Sequence, residues 1–185
     1  SVGPEFNPYL KPNISTYSDR GTSYSSPEIA GLVACMLQRK PTLTPKEVKE
    51  ALAISGHMNP LPNNYVGYGV PDPKILFDYL DGKEIKPKEL KRISISGKVV
   101  KVRSCKQLKQ NVVVYHKMDK VHVAAQLRVI LTDKDGKELR KNKAKGYYKA
   151  KMSRKGAVIK LNRIEGINFT TVVVDGGLIE IEWVK

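Results

Sequence analysis

Cysteine, histidine and tryptophan are scarce in this chain: two, three and one among 185 residues. Cys35 and Cys105 are too few for a disulfide framework and name no redox compartment. A bridge between them stays open; the plainer reading is two separate thiols, one packed as a small hydrophobe. His57, His116 and His122 lack paired metal-ligand spacing, so no zinc site and no cofactor are expected. No apolar run is long enough to span a membrane. Acidic residues are short in one half only. Residues 1–80 hold seven basic and seven acidic residues, whereas 81–185 hold 26 and 11, so the whole net charge of +15 falls in the second part. That asymmetry implies two units with different surfaces.

The stretch with the most chemical content is Gly21-Thr22-Ser23-Tyr24-Ser25-Ser26-Pro27, followed by an apolar run to Leu37. Ile29, Leu32, Val33, Met36 and Leu37 recur at helical spacing, with Ala30, Gly31, Ala34 and Cys35 between them. A helix without a polar face is expected to be buried. Pro27 suits its first turn, because the missing N–H is an orphan there in any case. Ser23 then lies at the helix N-terminus, where unpaired N–H groups and the positive dipole end favour a developing oxyanion. The other reading is a serine-rich cap, with Ser26 capping an ordinary core helix.

This stretch resembles the nucleophile motif of the subtilisin-like serine proteases, through Gly21, Thr22, Ser23, Pro27, Ala30 and Gly31. The resemblance implies that Ser23 is the catalytic nucleophile, with Thr22 and Gly21 supporting the oxyanion side and Tyr24 lining the site or packing. Upstream, Ser1-Val2-Gly3-Pro4 and Leu10-Lys11-Pro12-Asn13-Ile14-Ser15 resemble two further family segments, with Asn13 where an Asp is common. Only Ser15–Arg20 then intervene, where the family has a further hairpin. Downstream, Thr44-Pro45-Lys46-Glu47 opens a helix with a capping box, Leu43 and Val48 have staple spacing, and Gly56 is expected to end it. Glycine turns over Tyr65–Pro71 lead to a last short helix after Asp72-Pro73, ending at Gly82. The collinear resemblance covers about residues 1–80.

Residues 83–92 read as a charged linker. Beyond it the apolar period changes to two, in six to eight short runs, with hairpin-type turns at Asp133-Lys134-Asp135-Gly136 and Asp175-Gly176-Gly177. The expected fold class is therefore α/β, as the C-terminal part of a subtilisin-like catalytic domain (1–82), followed by an all-β antiparallel sandwich (93–185). Lys141, Lys143, Lys145, Lys149, Lys151 and Arg154 interleave with Tyr147 and Tyr148, a pattern suited to a polyanion or an anionic surface. Lysines that guard an edge strand give the same pattern.

A serine hydroxyl needs a base, and the base an orienting carboxylate. In the order that the resemblance implies, Asp and His precede Ser, and no such motif precedes Ser23 here. His57 lies in a helix-end loop and reads as a surface residue. Ser1 and the prolines after it read as a loop inside a longer fold, so the expected partner is an N-terminal portion carrying Asp, His and the oxyanion-hole Asn. The expected function is a serine endopeptidase acting on peptide or protein substrates, inactive without that portion. By resemblance it would lie outside the cell or in the envelope, with calcium possible but no site visible. The rival reading is a non-catalytic binding protein, with a degenerate protease scaffold and a working basic β-domain.

Overall fold

Gly21 sets the start of the first helix, and similarly local signals set most of the other boundaries. The computed structural model describes residues 10–17, 21–86, 88–104, 112–132, 147–153, 156–174 and 176–184. The chain divides into two compact units, Ser1–Pro87 and Lys88–Lys185.

The first unit holds three helices: α1 (Thr22–Arg39), α2 (Pro45–Ser55) and α3 (Pro73–Leu80). Thr44 and Glu47 form the expected capping box at α2: the Glu47 N–H donates to Thr44 Oγ1 at 3.3 Å, and the Thr44 N–H to Glu47 Oε2 at 2.7 Å. The Thr44 N–H and hydroxyl, both donating to Glu47 Oε2, hold its carboxyl below its ordinary range. Asp72 caps α3 by accepting from the N–H groups of Lys74 and Ile75. Gly82 follows α3 in the left-handed conformation, φ 73°. Gly56 does close α2, but with φ −62°, so its backbone conformation does not require glycine. Space does, since a Cβ there would collide with the Tyr68 carbonyl oxygen.

The core of this unit is Met36, Ala51, Leu52 and Leu76, ringed by Ile14, Leu32, Val33, Leu43, Val48 and Phe77. The expectation that α1 is buried needs correction. Met36 is its only buried residue, while Ala30, Gly31, Ala34, Cys35 and Leu37 are exposed. The cause is one-sided packing: Leu32, Val33 and Met36 meet this core, and no described residue of the unit covers the small residues opposite.

The second unit contains eight strands: β1 (Leu90–Ile95), β2 (Val99–Ser104), β3 (Val113–Lys117), β4 (Val123–Thr132), β5 (Tyr147–Ser153), β6 (Gly156–Asn162), β7 (Phe169–Val174) and β8 (Gly177–Trp183). β1 begins inside the stretch read as linker. The strands form one sheet in the order β1-β8-β7-β3-β4-β5-β6-β2. The sheet is mixed rather than antiparallel, because β1–β8 and β4–β5 pair in parallel. A parallel pair needs a crossover of about a dozen residues or more, and the chain between Thr132 and Tyr147 is long enough. The turn expected at 133–136 lies outside the described residues, and the strands on either side of that connection do not form a hairpin. β7 and β8 do form one, with Gly176 at φ 79°.

β1 and β2 are opposite edges of the sheet, yet only Ser96, Gly97 and Lys98 separate them. Four residue steps reach about 14 Å at most. The two edges are therefore close at that end without pairing, so the sheet coils but is not a closed barrel. One core accordingly takes Val100 and Val102 from β2, Ile159 and Leu161 from β6, Val172 from β7, and Ile181 and Trp183 from β8.

Polar groups also enter this unit's interior. Trp183 Nε1 donates to Thr170 Oγ1 at 2.8 Å, and Thr170 Oγ1 lies 3.1 Å from His116 Nδ1. With the indole donating, the threonine hydroxyl can donate to Nδ1. Burial pushes the His116 pKa down to about 4. The ordinary value is 6.5, so between pH 6.5 and 4 only the unfolded state gains this proton. The contribution is full above pH 6.5 and is lost as pH falls through 4. The second unit should lose about 3 kcal/mol across that window. Urea unfolding at several pH values, read by Trp183 fluorescence, checks this; a His116→Gln variant should show a flatter profile.

Candidate active site

Gly21 lies at φ 88°, ψ −177°, a region open essentially to glycine alone. A Cβ at this position would meet no atom within 4 Å, so the constraint there is conformational and not steric. From this turn the chain enters α1 at Thr22. The Tyr24 and Ser25 N–H groups both donate to the Gly21 carbonyl, at 3.1 and 3.3 Å. Ser23 is therefore the second residue of the helix, and its side chain is exposed. The expectation for Pro27 needs revision: with the helix starting at Thr22, Pro27 stands beyond the first turn. It has no N–H to give the Ser23 carbonyl, its i−4 partner. Thr22 and Gly21 are exposed beside Ser23, and Tyr24 is 54% exposed. Ser23 thus sits at a helix N-terminus, the electrostatic setting in which a hydroxyl nucleophile and oxyanion-stabilising N–H groups can share one locality.

His57 is not the surface residue that the sequence suggests. It is half-buried, and its Nδ1 accepts from the Val70 N–H at 2.9 Å. A Cβ on Gly69 would come within contact of the same ring. The imidazole is a clasp that holds the 56–71 loop. The sequence signal for this is the pair Gly67 and Gly69, which permits close approach. The Leu10–Tyr17 segment docks on the same loop: the Tyr68 N–H donates to the Asn13 carbonyl at 2.7 Å, the Ser15 N–H to the Gly69 carbonyl at 3.0 Å, and Ser15 Oγ to the Val66 carbonyl at 3.0 Å. Asn13 thus contributes backbone to a loop junction.

Cys35 is exposed on α1 and lies beside Gln38, Arg39 and Phe77, with the Arg39 guanidinium 5.8 Å from the Phe77 ring. Arg39 also forks onto Asp81, with two contacts of 2.7 Å. Cys105, Ser1–Pro4, Lys141, Lys143, Lys145 and Arg154 lie outside the described residues. Lys149 and Lys151 fall on β5. Among the described residues no cluster of three His, Cys, Asp or Glu could hold a metal ion, and no helix is long and apolar enough to cross a membrane.

The family model described as the subtilase family matches residues 7–69. That span includes the Gly21 turn, Ser23, α1, α2 and the glycine loop, so the chain contains part of a subtilase-like protein. Among individual proteins, Mycosin-1 of Mycolicibacterium smegmatis is 37% identical over 76 residues, which cover 40% of this chain and 17% of that protein. No solved structure matches.

Proposed function

We propose that this chain supplies the nucleophile-bearing part of a subtilisin-type serine endopeptidase, with Ser23 as nucleophile and peptides as substrates. The observation that carries this reading is the subtilase-family match over residues 7–69, which spans Ser23 in its helix-N-terminal setting. Ser23 Oγ would attack the scissile carbonyl, and a histidine oriented by an aspartate on a complementing polypeptide would take its proton. The Thr22 and Ser23 N–H groups, behind the Gly21 turn, would face the oxyanion. The exposed small residues of α1 are a surface on which that polypeptide could pack. His57 is unsuited to the role of base, because its Nδ1 is committed to the Val70 N–H. Export to the cell exterior or envelope goes with this reading, as does a sandwich-like accessory role for the second unit.

A second reading is a non-catalytic protein that binds an anionic partner through its basic part. The surplus of 26 basic over 11 acidic residues in 81–185 favours it.

The test is covalent labelling by a fluorophosphonate probe, read as intact mass, with and without a polypeptide supplying the upstream Asp and His. Labelling is expected only with that polypeptide, and Ser23→Ala should abolish it. Labelling that survives Ser23→Ala would remove Ser23 from the role. Absence of labelling in the complemented sample would leave the binding reading.

A further inference from the structure

The two edges of the β-sheet treat cross-strand charge in opposite ways. At the β1 edge the pairs on the face opposite Ile181 are matched. Arg92 stands opposite Glu180 and donates to it at 3.4 Å, and Ser94 stands opposite Glu182 and donates at 3.2 Å. At the β2 edge they are not. Lys101 stands directly opposite Lys160, and Arg103 opposite Val158. Lys101, Arg103 and Lys160 are exposed, and none has an ion-pair partner among the described residues. Val100 and Val102, which alternate with them along β2, point inward and are buried. Like charges placed directly across a ladder are destabilising. Among the described residues β2 has β6 as its sole strand neighbour, so no described strand pairs with its other side, although the β1 edge lies near its Val99 end.

We infer that the free edge of β2 is a docking site for an extended acidic peptide segment that adds as a further strand. Strand addition uses main-chain hydrogen bonds for affinity and alternate side chains for specificity. A strand laid along β2 places its alternate residues opposite Lys101 and Arg103, on the face where Lys160 adds a third positive charge. The segment therefore needs carboxylates at two alternate positions, with a small apolar residue between them on the side of Val102. The sheet already contains a strand of this pattern, Glu180-Ile181-Glu182, in the matched position beside β1. The bland role of edge lysines, blocking aggregation, accounts for Lys101 alone. It does not account for placing Lys160 opposite it, where a carboxylate would block as well and cost less. This inference does not depend on the protease reading.

The test uses the full chain and a short fluorescent synthetic peptide with Glu at two alternate positions among Val and Thr. A control peptide of the same composition carries the two Glu side by side, and so on opposite faces of a strand. A second control is N-methylated on alternate backbone amides. Binding is expected for the first peptide only, with slowed hydrogen exchange of β2 amides. Lys101→Glu with Arg103→Glu should weaken it by about tenfold or more. Lys160→Glu, which gives Lys101 an internal carboxylate, should raise the melting temperature and weaken binding, so a folding failure cannot imitate the result. Four outcomes would overturn the inference: no binding of the first peptide, equal binding of the control peptides, indifference to the double substitution, or displacement of the peptide by DNA or a sulfated polysaccharide at lower concentration than by unlabelled peptide.

Discussion

Glu180→Ala is expected to destabilise the second unit by about 3–5 kcal/mol. Lys117 is fully buried, and its ammonium donates to Glu180 Oε1 at 3.2 Å and to the Lys120 carbonyl at 3.1 Å. Burial pulls the Lys117 pKa down, and the Glu180 carboxylate opposes that shift. Removing the carboxylate leaves, among the described residues, a buried cation with one neutral acceptor and only the weaker attraction of the Asp119 carboxylate. Its ammonium must then either lose its proton or draw in water, and both are costly. Replacing both partners by apolar residues, Lys117→Met with Glu180→Leu, should recover most of the loss, since no orphan charge remains. Urea unfolding followed by Trp183, the single tryptophan, reports on this unit alone. A loss under about 1 kcal/mol for Glu180→Ala, the value of an exposed pair, would show that the pair is solvated in solution.

Gly67→Ala should be the most damaging small change in the first unit, by about 2–4 kcal/mol. Gly67 has φ 62°, and a Cβ there would overlap the Asn13 and Pro12 carbonyl groups. Those are backbone atoms, so no side-chain rotation relieves the overlap. The segment Leu10–Tyr17 would have to leave the loop, losing the Tyr68–Asn13 and Ser15–Gly69 hydrogen bonds. Gly31→Ala is the matching control: it lies inside α1, and no atom is within 4 Å of its Cβ position. It should stabilise the helix by about 0.4–1 kcal/mol. Thermal unfolding by far-UV circular dichroism, with amide exchange of Tyr68 and Ser15, the two donors of those bonds, separates the two. Unchanged exchange in Gly67→Ala would mean that the segment does not need this approach.

The local features of the site are legible in the amino-acid order. Gly21 marks a turn, Ser23 follows it, and the apolar spacing after Pro27 requires a helix. The start of α1 and its burial are not legible there, because both depend on neighbours. The first turn forms from Thr22 because the Gly21 carbonyl takes two N–H donors, a choice that helical periodicity does not encode. Burial of Ala30, Gly31 and Ala34 needs a second packing surface, and the described part of the unit supplies one only on the Met36 side. His57 departs from expectation for a related reason: its acceptor role depends on Val70, 13 residues away.

The amino-acid order by itself settles what is decided within a few residues. The Thr44–Glu47 box, the Asp72 cap, the left-handed Gly82 and the strand-forming runs all arise from hydrogen bonds and side-chain alternation over one to four positions. The tertiary structure alone decides which strands meet. Lys117 and Glu180 are 63 residues apart, and His116 and Thr170 are 54 apart. Whether β4 and β5 run parallel, and which strands are left as edges, depends on the common core that Val100, Ile159, Val172 and Trp183 close together. Contacts of that range carry a loop-closure cost that only the assembled core offsets, so no local pattern specifies them.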